Sequence, residues 1–332
     1  MAAFGDRKTS SRPGWEDVTP VPQSDGPNPV VTINYSSDFR ELMDIFRAVL
    51  VSGEKTQRVL ELTEEILDIN AANYTVWEYR RQTLAAMGAN LYQELDFMDT
   101  FAEENPKNYQ IWFHRRVIVE RLGDPRRELD FTKAVFQVDG KNYHAWSHRQ
   151  WTLVTFGLWD GELDFIDSLL QEDIRNNSAW NQRWFVVHHM DGENGAEADK
   201  AIASANTLRR EYEYAMTAID KVKSNESAWN YLRGLWNKYK DYDVSSTSEE
   251  VVTFTSVLEA RLCELRHQWV EELDIKEANC LLLYELLADI LSSNSGTKKE
   301  CVKDTITELY SRLRDLDIVR SAFWQQRVEN AA

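Results

Sequence analysis

The sequence predicts an all-α protein, a solenoid of helical hairpins, and three observations carry that prediction. The word Glu-Leu-Asp-Phe occurs at Glu94–Phe97, Glu128–Phe131 and Glu162–Phe165, each copy 34 residues after the last. A second word, Asn-x-x-x-Trp, begins at Asn73, Asn108, Asn142, Asn176 and Asn225, which spaces its tryptophans by 35, 34, 34 and 49 residues. Finally, five of the seven prolines lie in the first 29 residues, and no later stretch alternates as a strand would. A fixed period of this size is the mark of stacked helix pairs, in which each unit buries its apolar face against its neighbours.

The elements follow in order. Residues 1–30, rich in Pro, Gly, Ser and Asp, read as a flexible N-terminal arm. Residues 31–332 read as one helical-repeat domain. A helix pair is expected over about residues 37–70, and units then start near 73, 108, 142, 176 and 225, with the Asn-x-x-x-Trp helix first and the Glu-Leu-Asp-Phe helix second. The fourth unit is stretched by a loop at DGENGAE (191–197) and a long second helix ending near Lys223. Near the end Arg320 stands where Asn would be, while Arg327 keeps its place three residues after Trp324, as suits an atypical terminal unit.

Each word has a mechanical reading. Asn is an N-cap, accepting a hydrogen bond from a first-turn amide that has no partner within the helix. That also accounts for the Asn-x-Ser/Thr triplets at Asn73, Asn176 and Asn225 better than glycosylation does. Trp77, Trp112, Trp146 and Trp180, with Arg80, Arg115, Arg149 and Arg183 three residues on, share one helix face and fill the seam between helices. His114 and His148 fall in the same stripe and read as packing residues. The adjacent His188 and His189 point to different faces, which disfavours a metal pair.

Composition narrows the function. The 332 residues are 43% hydrophobic, enough for a core, and 12 Trp, 13 Tyr and 13 Phe imply a large partner surface besides. Asp and Glu outnumber Lys and Arg by 55 to 38, for a formal charge of −17. Nucleic acid is excluded for want of a basic footprint, and basic partners are favoured. Cys263, Cys280 and Cys301 form no Cys-x-x-Cys pair and read as idle thiols in a reducing compartment, with no structural zinc on this chain. The N-terminus lacks a signal-peptide core, and no stretch of 18 residues is free of charge, so a cytoplasmic protein without membrane insertion is expected.

The segment PKNYQIWFHRR places Lys107, Asn108, Tyr109 and Gln110 at a helix start, where free amides and the helix dipole favour an anion and Lys107 adds a full charge. NYTVWEYRR, PKNYQIWFHRR, KNYHAWSHRQW and RNNSAWNQRW do not match the tetratricopeptide consensus. They resemble the alpha subunit of the protein prenyltransferases, and most closely the subunit shared by protein farnesyltransferase and type I geranylgeranyltransferase. The similarity runs from about Tyr35 to Trp324 and is densest from Asn70 to Trp184.

The resemblance implies a crescent of hairpins wrapped around a separate beta subunit in an obligate heterodimer. The dimer would transfer a farnesyl or geranylgeranyl group from its diphosphate to the cysteine of a C-terminal CaaX sequence. Zinc would sit on the beta subunit and not on this chain, with magnesium a further candidate cofactor. By the same resemblance Lys107 and His144 are the catalytic residues, and Lys107, Tyr109, Tyr143 and His144 meet the isoprenoid diphosphate. Gln110, Tyr109, Tyr74 and Asn142 are the peptide-binding set, Gln110 taking the terminal carboxylate. The departures, Gln150 in place of a second Arg and Leu232 three residues after Trp229, touch packing only. Two rivals stand beside this reading: a non-catalytic helical-repeat adaptor for basic peptides, and a subunit that only stabilises its partner.

Overall fold

The structure is a computed structural model that describes residues 10–190, 205–242, 244, 252–272, 281–293 and 299–331. These residues form fifteen α-helices and no β-strand. The loop expected at 191–197 and Cys280 lie outside them. The chain packs as two compact units, Met1–Gly157 and Leu158–Ala332. The first holds α1 (Ser37–Ser52), α2 (Gln57–Ile69), α3 (Tyr74–Met87), α4 (Leu91–Glu104), α5 (Tyr109–Leu122), α6 (Glu128–Val138) and α7 (Tyr143–Phe156). The second holds α8 (Glu162–Glu172), α9 (Asn177–His189), α10 (Ala205–Lys221), α11 (Glu226–Tyr239), α12 (Phe254–His267), α13 (Leu281–Ser293), α14 (Lys299–Leu316) and α15 (Ser321–Ala331).

The repeated asparagines are all N-caps. Asn73, Asn108, Asn142, Asn176 and Asn225 accept from the amides of Val76 (3.3 Å), Gln110 (2.9 Å), Ala145 (3.0 Å), Ser178 (3.0 Å) and Ser227 (3.2 Å). Each such cap contributes about 1 kcal/mol. Their tryptophans are buried, and every indole N–H donates to the carbonyl six residues earlier: Ala71, Pro106, Gly140, Ile174 and Lys223, at 2.8–3.1 Å. The apolar body therefore fills the seam, and the polar tip closes the turn that leads into its own helix. At the degenerate end Asp317 takes over, accepting from the Arg320 amide (3.2 Å) and the Trp324 indole (2.9 Å).

The hairpins are phased differently from expectation. By backbone approach each Glu-Leu-Asp-Phe helix lies closest to the tryptophan helix that follows it, as α4 does to α5, α6 to α7 and α8 to α9. The pair thus begins with the helix read as second. Large rings separate the other pairing: Trp77 of α3 meets Phe97 and Phe101 of α4 at centroid distances of 6.5 and 5.7 Å, which holds those backbones apart.

A ladder of buried carboxylates ties the repeats together. Glu94 receives Arg80 of the preceding helix (2.7 and 2.8 Å) and His114 of the following one (2.7 Å). Glu128 receives Arg115 (2.8 and 2.9 Å) and His148 (2.6 Å) in the same way. In the second unit Glu211 receives Arg183 (2.7 and 3.2 Å) and the Tyr231 hydroxyl (2.7 Å), and Glu162 receives Gln182 (2.9 Å). The phenylalanine of the repeated word stacks on the same arginine: Phe97 under Arg80 at 4.4 Å and Phe131 under Arg115 at 3.4 Å. Sequence reasoning saw the arginines as packing and missed the glutamates, although both recur with the same period.

Part of the expected loose arm is attached. Trp15 is 5% exposed and joins the core formed by Ile45, Phe46, Val59 and Leu62. Arg58 lies over its ring at 4.4 Å and pairs bidentately with Asp17 (2.8 and 3.0 Å), while Arg47 donates to the Val21 carbonyl (2.7 Å). A single aromatic anchor and two arginine clamps supply the attachment that a Pro- and Gly-rich composition hides.

Candidate functional site

Pro106 and Lys107 lie in the turn between α4 and α5, and two side chains hold that turn. The Pro106 carbonyl accepts from the Trp112 indole (2.9 Å) and from the Asn142 side-chain amide (3.1 Å), one repeat on. The starts of α5 and α7 are therefore locked to each other through backbone groups. The Lys107 side chain itself is free of that lock: it is 80% exposed, and its Nζ comes no nearer than 3.9 Å to Asp139. An exposed pair at that distance holds little, so the ammonium is available to another anion.

His144 is half-buried under two exposed tyrosine rings. Tyr109 meets it edge-on at a centroid distance of 4.3 Å and Tyr143 at 5.5 Å, with Trp112 stacked at 6.3 Å. Burial pushes the His144 pKa below its ordinary value, so the ring is neutral at pH 7. Positive charge in the cluster comes from Lys107, while the tyrosine hydroxyls offer neutral donors beside it.

Lys107, Tyr109, Tyr143 and His144 are thus brought together. Gln110 follows Tyr109 in the first turn of α5, half-buried, and its side-chain amide has no partner among the described residues. Asn142 does not fit the peptide-contacting role expected of it. It is 2% exposed, its oxygen caps α7 and its amide holds Pro106, so it positions the turn. Tyr74 opens α3, exposed, and has no hydrogen bond or ring contact among the described residues.

Four other histidines are committed elsewhere. His114 and His148 serve the buried glutamates, and His188 and His189 bond to the backbone carbonyls of Trp184 and Phe185, both at 2.7 Å. Among the described residues no group of three or more His, Cys, Asp or Glu is placed to hold a metal ion. Cys263 is exposed, and desolvation with the neighbouring Glu259 pushes its thiol up, which favours the protonated form. No described helix is long and apolar enough to cross a membrane.

Comparison with known proteins matches the helical repeats. The family described as protein prenyltransferase alpha subunit repeat matches residues 56–87, 91–122, 125–156, 159–190 and 208–239, the phase in which the helices pair here. A Dictyostelium discoideum protein named as the alpha subunit of protein farnesyltransferase/geranylgeranyltransferase type-1 is 44% identical over 238 residues, covering 70% of this chain and 71% of its own length. A Solanum lycopersicum protein of the same name is 54% identical over 93 residues, 28% of this chain. The chain spans 27% to 35% of the length of the Solanum lycopersicum, Arabidopsis thaliana and Pisum sativum relatives it matches. The solved structure of Candida albicans protein geranylgeranyltransferase-I complexed with GGPP includes a chain that superposes with a TM-score of 0.78 at 28% identity, covering 97% of this chain and 100% of that one.

Proposed function

The chain belongs to the protein prenyltransferase alpha-subunit family, and from that premise we propose that it is the alpha subunit of a cytoplasmic heterodimer. The dimer transfers a farnesyl or geranylgeranyl group from its diphosphate to the cysteine of a C-terminal CaaX motif. In that reaction the cysteine sulfur bonds to the first isoprenoid carbon as the carbon–oxygen bond breaks, and the electron pair leaves with the diphosphate. Charge grows on the departing oxygens, and donors placed there stabilise the transition state more than the ground state.

The single observation behind this assignment is the locked turn that carries an exposed lysine next to the Tyr109–His144–Tyr143 ring cluster. Lys107 supplies the full charge, and the Tyr109 and Tyr143 hydroxyls can add neutral hydrogen bonds. Neutral His144 backs the two tyrosine rings without competing for the anion. Gln110 is offered to the peptide. The zinc and magnesium of the reaction are assigned no ligand on this chain, and no step is routed through either.

The test is co-expression with a beta chain, identification of the stable complex, and an assay on a CaaX peptide. Transfer by the complex and none by the chain alone is the expected result. Stable capture of assorted basic peptides, with no beta chain and no transfer, would replace this reading with an adaptor.

A further inference from the structure

Asp139 stands one repeat beyond Lys107, in the turn between α6 and α7, and its Oδ2 lies 3.9 Å from the Lys107 Nζ. Its own place is fixed by three bonds. The Asp139 backbone N–H donates to the Val135 carbonyl (2.9 Å), its carbonyl accepts from the Asn142 backbone N–H (3.0 Å), and its Oδ1 accepts from the Lys141 backbone N–H (3.0 Å). The Asn142 side chain then ties this turn to the Pro106 carbonyl, one residue before Lys107. The carboxylate is therefore held in place, and the Lys107 side chain, 80% exposed, is the member of the pair that can move.

The fold does not require a charge at this position. Asn70 closes the equivalent turn before α3 with a neutral oxygen, accepting from the Ala72 backbone N–H (3.3 Å), while its carbonyl accepts from the Asn73 backbone N–H (3.1 Å). Asp173 does the same before α9 with a carboxylate, accepting from the Arg175 backbone N–H (2.9 Å). Either side chain supplies the one acceptor that the turn needs. At Asp139 the second oxygen is surplus to that task, and it is the second oxygen that meets Lys107.

We propose that Asp139 is a positioning residue for prenyl transfer: it draws the Lys107 ammonium aside while the diphosphate is intact and yields it as charge grows on the leaving oxygens. The inference rests on the function proposed above. An exposed pair at this distance is weak, so it gives way to the more strongly charged departing diphosphate and still loosens the lysine's hold on the intact substrate. A contact made equally in the ground and transition states only tightens binding, whereas one completed in the transition state speeds the chemical step. Asp139 thereby turns part of the attraction between Lys107 and the substrate into rate.

The experiment is a double-mutant cycle in the co-expressed heterodimer: wild type, Asp139→Asn, Lys107→Ala and the two combined. For each, the Kd of the prenyl diphosphate that the complex transfers and the single-turnover rate on a CaaX peptide are measured. Asparagine keeps the acceptor for the Lys141 N–H, as Asn70 does in its own turn. Asp139→Asn should bind the prenyl diphosphate about threefold more tightly and react about threefold more slowly, leaving the ratio of rate to Kd and the melting temperature unchanged. Both changes should vanish in the Lys107→Ala background.

An unaltered Kd and rate in Asp139→Asn overturn the inference and leave the proposed function intact. Equal tightening with and without Lys107 also overturns it, by making Asp139 a simple repulsive charge, as does a slower rate accompanied by weaker binding and a lower melting temperature, which marks a damaged turn. If the wild-type complex transfers nothing to the CaaX peptide, the proposed function fails and this inference fails with it.

Discussion

Arg115 and Glu128 meet through two parallel hydrogen bonds of 2.8 and 2.9 Å, at side-chain exposures of 1% and 0%. His148 then binds the same carboxylate from the next repeat. Three helices therefore share one buried anion, and removing it strands both partners away from water. Glu128→Ala should cost about 3–5 kcal/mol, read from urea unfolding of the purified chain. As a contrast, Arg126→Ala, which breaks a solvent-exposed pair with Asp124, should leave the midpoint unchanged. Equal losses in the two variants would refute a special role for burial.

The same ladder makes stability depend on pH. Burial pushes the His114 and His148 pKa values below normal despite their glutamate partners, and hydrogen bonds from His114 and Arg80 outweigh burial and pull Glu94 down to about 2. For each group the unfolded chain binds the proton more readily. Stability therefore falls as pH drops below the ordinary histidine value near 6.5, and falls again below the ordinary carboxylate range near 4.3. Gln182 fills the equivalent place against Glu162. The variant His114→Gln/His148→Gln should thus keep the hydrogen bonds and flatten the slope between pH 6.5 and 5; an unaltered slope would remove these histidines as its source.

Lys107 is exposed, and its side chain anchors nothing in the fold. In the heterodimer, Lys107→Ala should slow the chemical step about 100-fold in single-turnover assays with little change in peptide KM or in melting temperature. Lys107→Arg should recover part of the rate, since charge is kept while geometry shifts. Normal single-turnover chemistry in the alanine variant would take Lys107 out of the mechanism.

His144 packs against the Tyr109 and Tyr143 rings and is neutral at pH 7 because burial depresses its pKa. His144→Ala should reduce the rate of transfer, about tenfold, without adding or removing an ionisation in the rate profile between pH 7 and 8. A new inflection in that range would show that the ring exchanges a proton during turnover, contrary to its position here.

Asn142→Ser separates capping from bridging. Serine still caps α7 but is too short to reach the Pro106 carbonyl, so the expected loss is about 1 kcal/mol of stability together with a lower rate of transfer. Full activity in a correctly folded variant would mean that the Trp112 bond alone suffices to hold the turn.

Much of this molecule was legible before any coordinates because its signals are local. An N-cap asparagine, a tryptophan four residues on and an arginine three beyond that are set by the helical repeat, and Asn73, Asn108, Asn142, Asn176 and Asn225 each start a helix as read. The cluster of Lys107, Tyr109, Tyr143 and His144 followed from the period together with the family resemblance. A further local signal went unread: Gly88, Gly123 and Gly157, at φ of 59°, 63° and 68°, end α3, α5 and α7 at nearly the same spacing.

What only the tertiary structure decided are the contacts between residues 13 or more positions apart. The pairing of Arg80 with Glu94 and His114, the phase of the hairpins, the docking of Trp15, and the holding of Pro106 by Asn142 36 residues later all depend on where neighbouring helices come to rest. Hydrogen bonding within a helix reaches four residues, so sequence by itself determined where helices begin and what face each buries. Which buried charge meets which was settled by packing, because a carboxylate cut off from water must take whatever donors the folded neighbours bring within 3 Å.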